Sequence, residues 1–226
     1  MKVRAVARFL KLFFSRPVIH GMEQVRKGEA AVFCANHQGW YGPVVLMLYG
    51  NVGWRPWVNE EIMDRDRCSP YLLKDFIQPV LRLHGRLGVL LSRCLAPLCI
   101  GLMEKAEAIP VHHGSRKILE TFRITEEALE EGRSILLFPE TPSPRGGEKV
   151  QPFQKGFAGI AREYWEKTGK ALIFYPVYVD RRHRAITFGE GVSFQPQRPW
   201  PEEKERIVQE LEERIRAMEG RAGDDL

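Results

Sequence analysis

Residues 30–45 read AAVFCANHQGWYGPVV, and the character of the chain changes at their centre. Residues 30–35 are an unbroken apolar run, which predicts a short buried strand. Residues 42–50, GPVVLMLYG, predict a helix. Asn36 and His37 therefore stand where a strand hands over to a helix. In α/β sheets this is where reactive groups gather, beyond the carboxyl end of a strand. A histidine titrates near neutral pH, so it can accept a proton and later return it. An orienting carboxylate is not close in sequence: the five residues after His37 contain no acid, and the next one is Glu60.

The same alternation of strand and helix continues downstream. WRPWV (54–58), EAIPV (107–111), SILLFP (134–139), ALIFYPVYV (171–179) and RAITFG (184–189) predict strands. PYLLKDFIQPVLRLHG and LGVLLSRCLAPLCIGLMEK predict helices broken by Pro79, Gly85 and Pro97. Ser115 is expected to cap a helix that Gly132 stops. GFAGIAREYWEKTG predicts another helix, and Pro201, Glu202 and Glu203 open a last one that Gly220 closes. The segment ETPSPRGGEKVQPFQ (140–154) is too long for a plain connection and is expected to be functional. The expected fold is α/β: a single layered domain with a mixed, mostly parallel sheet flanked by helices. An N-terminal helix (1–16) precedes this domain (17–220), and a polar tail (221–226) follows it.

Composition narrows the partners. The chain has 226 residues, 44% hydrophobic and 28% charged, which suits one domain with a sizeable core. Net charge is +5, unevenly spread, since the first sixteen residues hold Lys2, Arg4, Arg8, Lys11 and Arg16 and no acid. In residues 3–15, Arg4, Arg8, Lys11 and Ser15 form one narrow polar stripe opposite Val6, Phe9, Leu10, Phe13 and Phe14. That pattern suits a helix lying in a membrane interface, and equally a helix packed on its own domain. Trp40, Tyr41, Trp54 and Trp57 leave the same pair of readings open. No signal peptide and no membrane span is expected, because Arg8 and Lys11 cut the first apolar run and Arg93 and Pro97 cut the second. The basic residues follow no nucleic-acid-binding motif. Four cysteines without CxxC spacing imply a reducing compartment and no metal site.

Four blocks fall in a telling order: NHQGWYG (36–42), AIPVHHGS (108–115), LLFPETPSPRGG (136–147) with FQKG (153–156), and YPVYV (175–179). Over residues 20 to 195 this order resembles the glycerolipid acyltransferase family, of the lysophosphatidic acid acyltransferase type. The resemblance implies an enzyme of phospholipid biosynthesis that moves a fatty acyl group from an acyl thioester to a lysophospholipid hydroxyl. It implies acyl-CoA or acyl-carrier protein as donor, no tightly bound cofactor, and a cytoplasmic, peripheral membrane location. It makes His37 the general base and Glu140 the carboxylate that orders the site. Asn36, His113, Thr141, Arg145 and Lys155 become the substrate-binding positions, the two cations being suited to a phosphate.

The departures are as specific as the matches. Gly42 stands where the family has the aspartate that orients the histidine. His112 and His113 replace an acid and an arginine, and Thr141-Pro142-Ser143 replaces Gly-Thr-Arg. Three substitutes for the aspartate are open: a backbone carbonyl, a carboxylate such as Glu60, Glu61 or Glu140, or a silent site that only binds lipid. If His37 is the base, putting the acid back by Gly42→Asp is expected to raise activity or leave it unchanged. A neutral or zwitterionic acceptor fits the missing arginines.

Overall fold

The computed structural model describes residues 11, 14–26, 28–50, 52–112, 117–141 and 149–224. Most of the expected N-terminal helix, with His113, Ser115 and Arg145, lies outside the described residues.

The strands are β1 (Val18–His20), β2 (Ala31–Ala35), β3 (Trp54–Asn59), β4 (Ile109–Val111), β5 (Ser134–Leu137), β6 (Ile173–Asp180), β7 (Ala185–Phe188) and β8 (Val192–Ser193). They form one sheet in the order β1-β7-β6-β2-β5-β3-β4, with β8 on β6. Strands β6, β2, β5, β3 and β4 are parallel neighbours, and only β6 with β7 and β6 with β8 are antiparallel. The mixed, mostly parallel sheet expected from the sequence is therefore present. All five residues of β2 and all eight of β6 are buried, as strands covered on both faces must be. One core lies on each side. Val32, Cys34, Leu137, Phe157 and Ile160 belong to the first, together with Ile207, Leu211 and Ile215 of the last helix. Phe33, Val45, Leu46, Tyr175 and Phe188 belong to the second.

The helices are α1 (Tyr41–Tyr49), α2 (Glu60–Met63), α3 (Cys68–Leu72), α4 (Gln78–Leu81), α5 (Gly85–Lys105), α6 (Ile118–Glu130), α7 (Gly159–Thr168) and α8 (Trp200–Asp224). Three proline and glycine signals act differently from expectation. Pro79 does not end its helix. A π-helical turn over Leu73–Ile77 links α3 to α4, and this wider turn absorbs the missing N–H of the proline. Pro97 sits inside an unbroken α5, on its exposed side, where water can satisfy the freed carbonyl. Gly220 lacks the positive φ that a helix stop needs, and α8 runs on to Asp224. Gly132, with φ 77°, does stop its helix.

By length and composition α5 could cross a membrane, but its small-residue side is packed on α3 through Cys68, Ala96 and Ile100. Trp54 and Trp57 belong to the interior. Trp54 is buried edge-on to Phe33, and Trp57 donates its indole N–H to Thr125 Oγ1.

Candidate active site

Five parallel strands deliver their carboxyl ends to one edge of the sheet, and the chemistry gathers there. Asn36 and His37 follow β2, Glu140 follows β5, Glu60 follows β3 and His112 follows β4. Neighbouring strands are about 4.8 Å apart, so β2 and β5 place His37 and Glu140 side by side, and β3 and β4 place Glu60 and His112 next along the row.

Asn36 is 1% exposed and faces β6. Its Nδ2 donates to the Val179 carbonyl at 3.0 Å, and its Oδ1 accepts from the Val179 N–H at 2.6 Å. The side chain thus replaces a missing piece of the β2–β6 ladder and fixes the end of β2.

The chain then turns sharply. Gln38 and Gly39 both have positive φ, 45° and 62°, the first an unusual conformation for a residue with a side chain. The turn brings the Gly39 backbone back onto the His37 ring, which it holds by a hydrogen bond. It also brings Gly42 against His37, whose carbonyl accepts from the Gly42 N–H at 3.2 Å. A Cβ at position 42 would lie 2.4 Å from the His37 carbonyl oxygen and 3.0 Å from that of Asn36. The aspartate position of the resemblance is therefore closed to any side chain. The expectation that Gly42→Asp is harmless fails on this contact.

Phe138 lies edge-on to the His37 ring at 5.1 Å. His37 is exposed at the sheet edge, although protein packs around part of its ring. This crowding lowers the imidazole pKa below its ordinary value, and the Gly39 hydrogen bond only partly offsets it. The shift favours the neutral imidazole. With one nitrogen donating to the Gly39 carbonyl, the other carries the lone pair.

Glu140 touches the same turn from below. Its Oε2 accepts from the His37 backbone N–H at 2.6 Å, and its Oε1 accepts from the Gln151 N–H at 3.0 Å. Burial raises the Glu140 pKa, while these two backbone donors hold it down. The carboxylate ties the histidine to the loop that follows β5. That loop closes on itself through the Thr141 N–H and Oγ1, 2.9 and 3.1 Å from the Pro152 carbonyl, and through Gln154 N–H to the Pro139 carbonyl at 2.7 Å. Thr141 spends its hydroxyl on this closure.

Helix α8 clamps the loop with three carboxylates spaced seven apart. Glu205 pairs with Lys155 at 2.7 Å, Glu212 accepts from the Phe153 N–H at 3.0 Å, and Glu219 accepts from the Val150 N–H at 3.1 Å. Lys155, expected on a phosphate, is thereby engaged on the protein surface. The clamp was missed in the sequence, although the heptad spacing of 205, 212 and 219 is visible there. Glu60 is also committed, to His112 Nδ1 and, at 3.2 Å, to Arg67, and these partners hold its carboxyl below the usual range.

The strands and helices form an α/β layered domain whose histidine and carboxylates share one sheet edge. Among solved structures the chain is similar to the 1-acyl-sn-glycerophosphate (LPA) acyltransferase PlsC from Thermotoga maritima. The two are 17% identical with a TM-score of 0.56, over 93% of this chain and 75% of that one. No protein-family model and no curated protein matches the chain.

Proposed function

We propose that this protein is an O-acyltransferase of phospholipid synthesis or remodelling, with His37 as general base. The observation that carries the reading is the placement of His37 at the carboxyl edge of the sheet, beside Glu140, whose Oε2 accepts from the His37 N–H at 2.6 Å. Here the Gly39 carbonyl takes the orienting part that an aspartate plays elsewhere. The free ring nitrogen accepts the proton of the acceptor hydroxyl as its oxygen attacks the thioester carbonyl. Collapse of the tetrahedral intermediate expels the thiolate, which takes that proton back from the imidazolium. Glu140 holds the backbone of the base, and Asn36 fixes the strand it stands on, so both are positioning residues. Acyl-CoA or acyl-carrier protein is the donor, and a cytoplasmic membrane surface supplies the lipid.

At the acceptor end, His112 stands beside Glu60 rather than as a free cation. A neutral or zwitterionic lysolipid headgroup meets less repulsion there than a phosphate monoester. The Lys155–Glu205 pair points the same way.

Gly42 favours a second reading, a lipid-binding member of the same fold without turnover. Loss of the orienting carboxylate in a related triad costs about 10⁴ in rate. Purified protein with a labelled acyl thioester and a panel of lysolipids separates the two. Turnover that His37→Ala abolishes supports the enzyme. Tight lipid binding with no turnover on any acceptor supports the binder.

A further inference from the structure

Helix α5 has its apolar pattern turned outward. Its buried positions, Gly88, Ser92, Ala96 and Ile100, recur every fourth residue and are mostly small. Ser92, Ala96 and Ile100 lie on α3, where Ser92 Oγ is 3.0 Å from Ser69 Oγ, and Gly88 packs against Leu73 and Leu83. The opposite face carries Leu87, Leu90 and Leu98, which are 70%, 61% and 39% exposed, with exposed Cys94 among them. Leu81, at the end of α4, extends the patch. A helix on a soluble surface turns its large apolar residues inward. Of the seven large hydrophobics exposed among the described residues, four are these leucines. Three on α5 and one at the end of α4, they mark an interaction surface.

Charge identifies the occupant. From Cys68 to the end of α5 at Lys105 the chain holds Lys74, Arg82, Arg86, Arg93 and Lys105 against Asp75 and Glu104. These five cations are exposed, and none makes an ion pair among the described residues. Arg86 and Arg93, seven apart, run along one border of the leucine face. A leucine stripe bordered by free cations matches a lipid–water interface with anionic headgroups. A second copy of the chain matches poorly, because a two-fold contact would set these cations against each other. A span is disfavoured by Arg93 at mid-helix and by the packing on α3.

We infer that the leucine face of α5 is the surface on which this protein docks to an anionic membrane, with the helix lying along the interface. The inference takes its purpose, delivery of lipid substrate, from the acyltransferase reading and its place from the geometry. Phe76, in the turn between α3 and α4, lies edge-on to Trp40 at 5.9 Å, so the helices that carry this face also touch the His37 turn.

Native Cys94 reports on this face. Labelled there with an environment-sensitive fluorophore, the protein is expected to shift to the blue on vesicles of phosphatidylcholine with phosphatidylglycerol, and to be quenched by spin-labelled lipid. Leu87→Glu with Leu90→Glu is expected to weaken vesicle binding about tenfold or more, leaving melting temperature and turnover of a water-dispersed short-chain acceptor unchanged. A label that stays unquenched on vesicle-bound protein overturns the inference. So does a double variant that binds like the parent, or a lipid-indifferent dimer that the double variant dissolves. Vesicle binding through α5 without turnover on any acceptor supports docking and sinks only the enzymatic reading.

Discussion

Replacing Gly42 tests the whole account of the histidine turn. The residue has ordinary backbone angles, so the constraint is space alone. An alanine Cβ would sit 2.4 Å from the His37 carbonyl oxygen, 3.0 Å from that of Asn36 and 3.1 Å from the His37 carbonyl carbon. All three are backbone atoms, so no side chain can swing aside. Relief requires the α1 start and the His37 peptide to part by roughly 0.5–1 Å, which overpacking data place at about 1–3 kcal/mol. In a domain of this size that is a fall of about 3 °C in melting temperature per kcal/mol. The same shift moves the imidazole from the Gly39 carbonyl, and a misplacement near 1 Å costs about 100-fold in rate. Gly42→Ala is therefore expected to lose both stability and kcat, with KM little changed. Gly42→Asp is expected to lose as much, although it supplies a carboxylate at the family's position. Thermal melting and acyl-transfer kinetics on both variants decide the matter. A Gly42→Asp protein as stable as the parent and equally or more active would refute the argument.

Three further outcomes follow from the geometry. Desolvation lowers the His37 pKa, so the base stays neutral until pH falls through that lowered value. The acid limb of kcat/KM is expected below about 6.5, and a limb at or above that value contradicts the crowded ring. Glu140→Gln replaces one acceptor oxygen by a donor that faces a backbone N–H of His37 or Gln151. A charged hydrogen bond is worth about 1.5–3 kcal/mol, so kcat and melting temperature both fall, and an unaltered kcat removes Glu140 from the site. Of the four thiols, Cys34 and Cys68 are buried with raised pKa values and Cys99 is pushed up to about 12. A mild thiol reagent on native protein is expected to modify Cys94 alone, and two fast-reacting thiols would contradict this packing.

The strands were legible where apolar runs are long. Residues 30–35 contain β2, and 171–179 cover β6 except its last residue, Asp180; burial on both faces leaves these runs no polar alternation. β1 and β8, three residues and two, are below what periodicity can resolve. The prolines misled because a helix can widen around Pro79 or leave a carbonyl to solvent at Pro97. Neither choice shows in local sequence.

The sequence blocks single out His37 and Glu140, and the parallel pairing of β2 with β5 brings the two side by side. The partners of the remaining residues were not readable. Asn36 meets Val179, 143 residues away, and Lys155 meets Glu205, 50 residues away. Such choices depend on which backbone donors and carboxylates the fold leaves within about 3 Å. The sequence alone determined an α/β chain with a histidine at a strand end, because burial pattern and residue type are local properties. Tertiary structure decided that the Gly39 backbone meets the ring of that histidine while Glu140 holds its main-chain N–H. The strand-to-helix turn closes so tightly on the His37 peptide that no side chain fits at position 42.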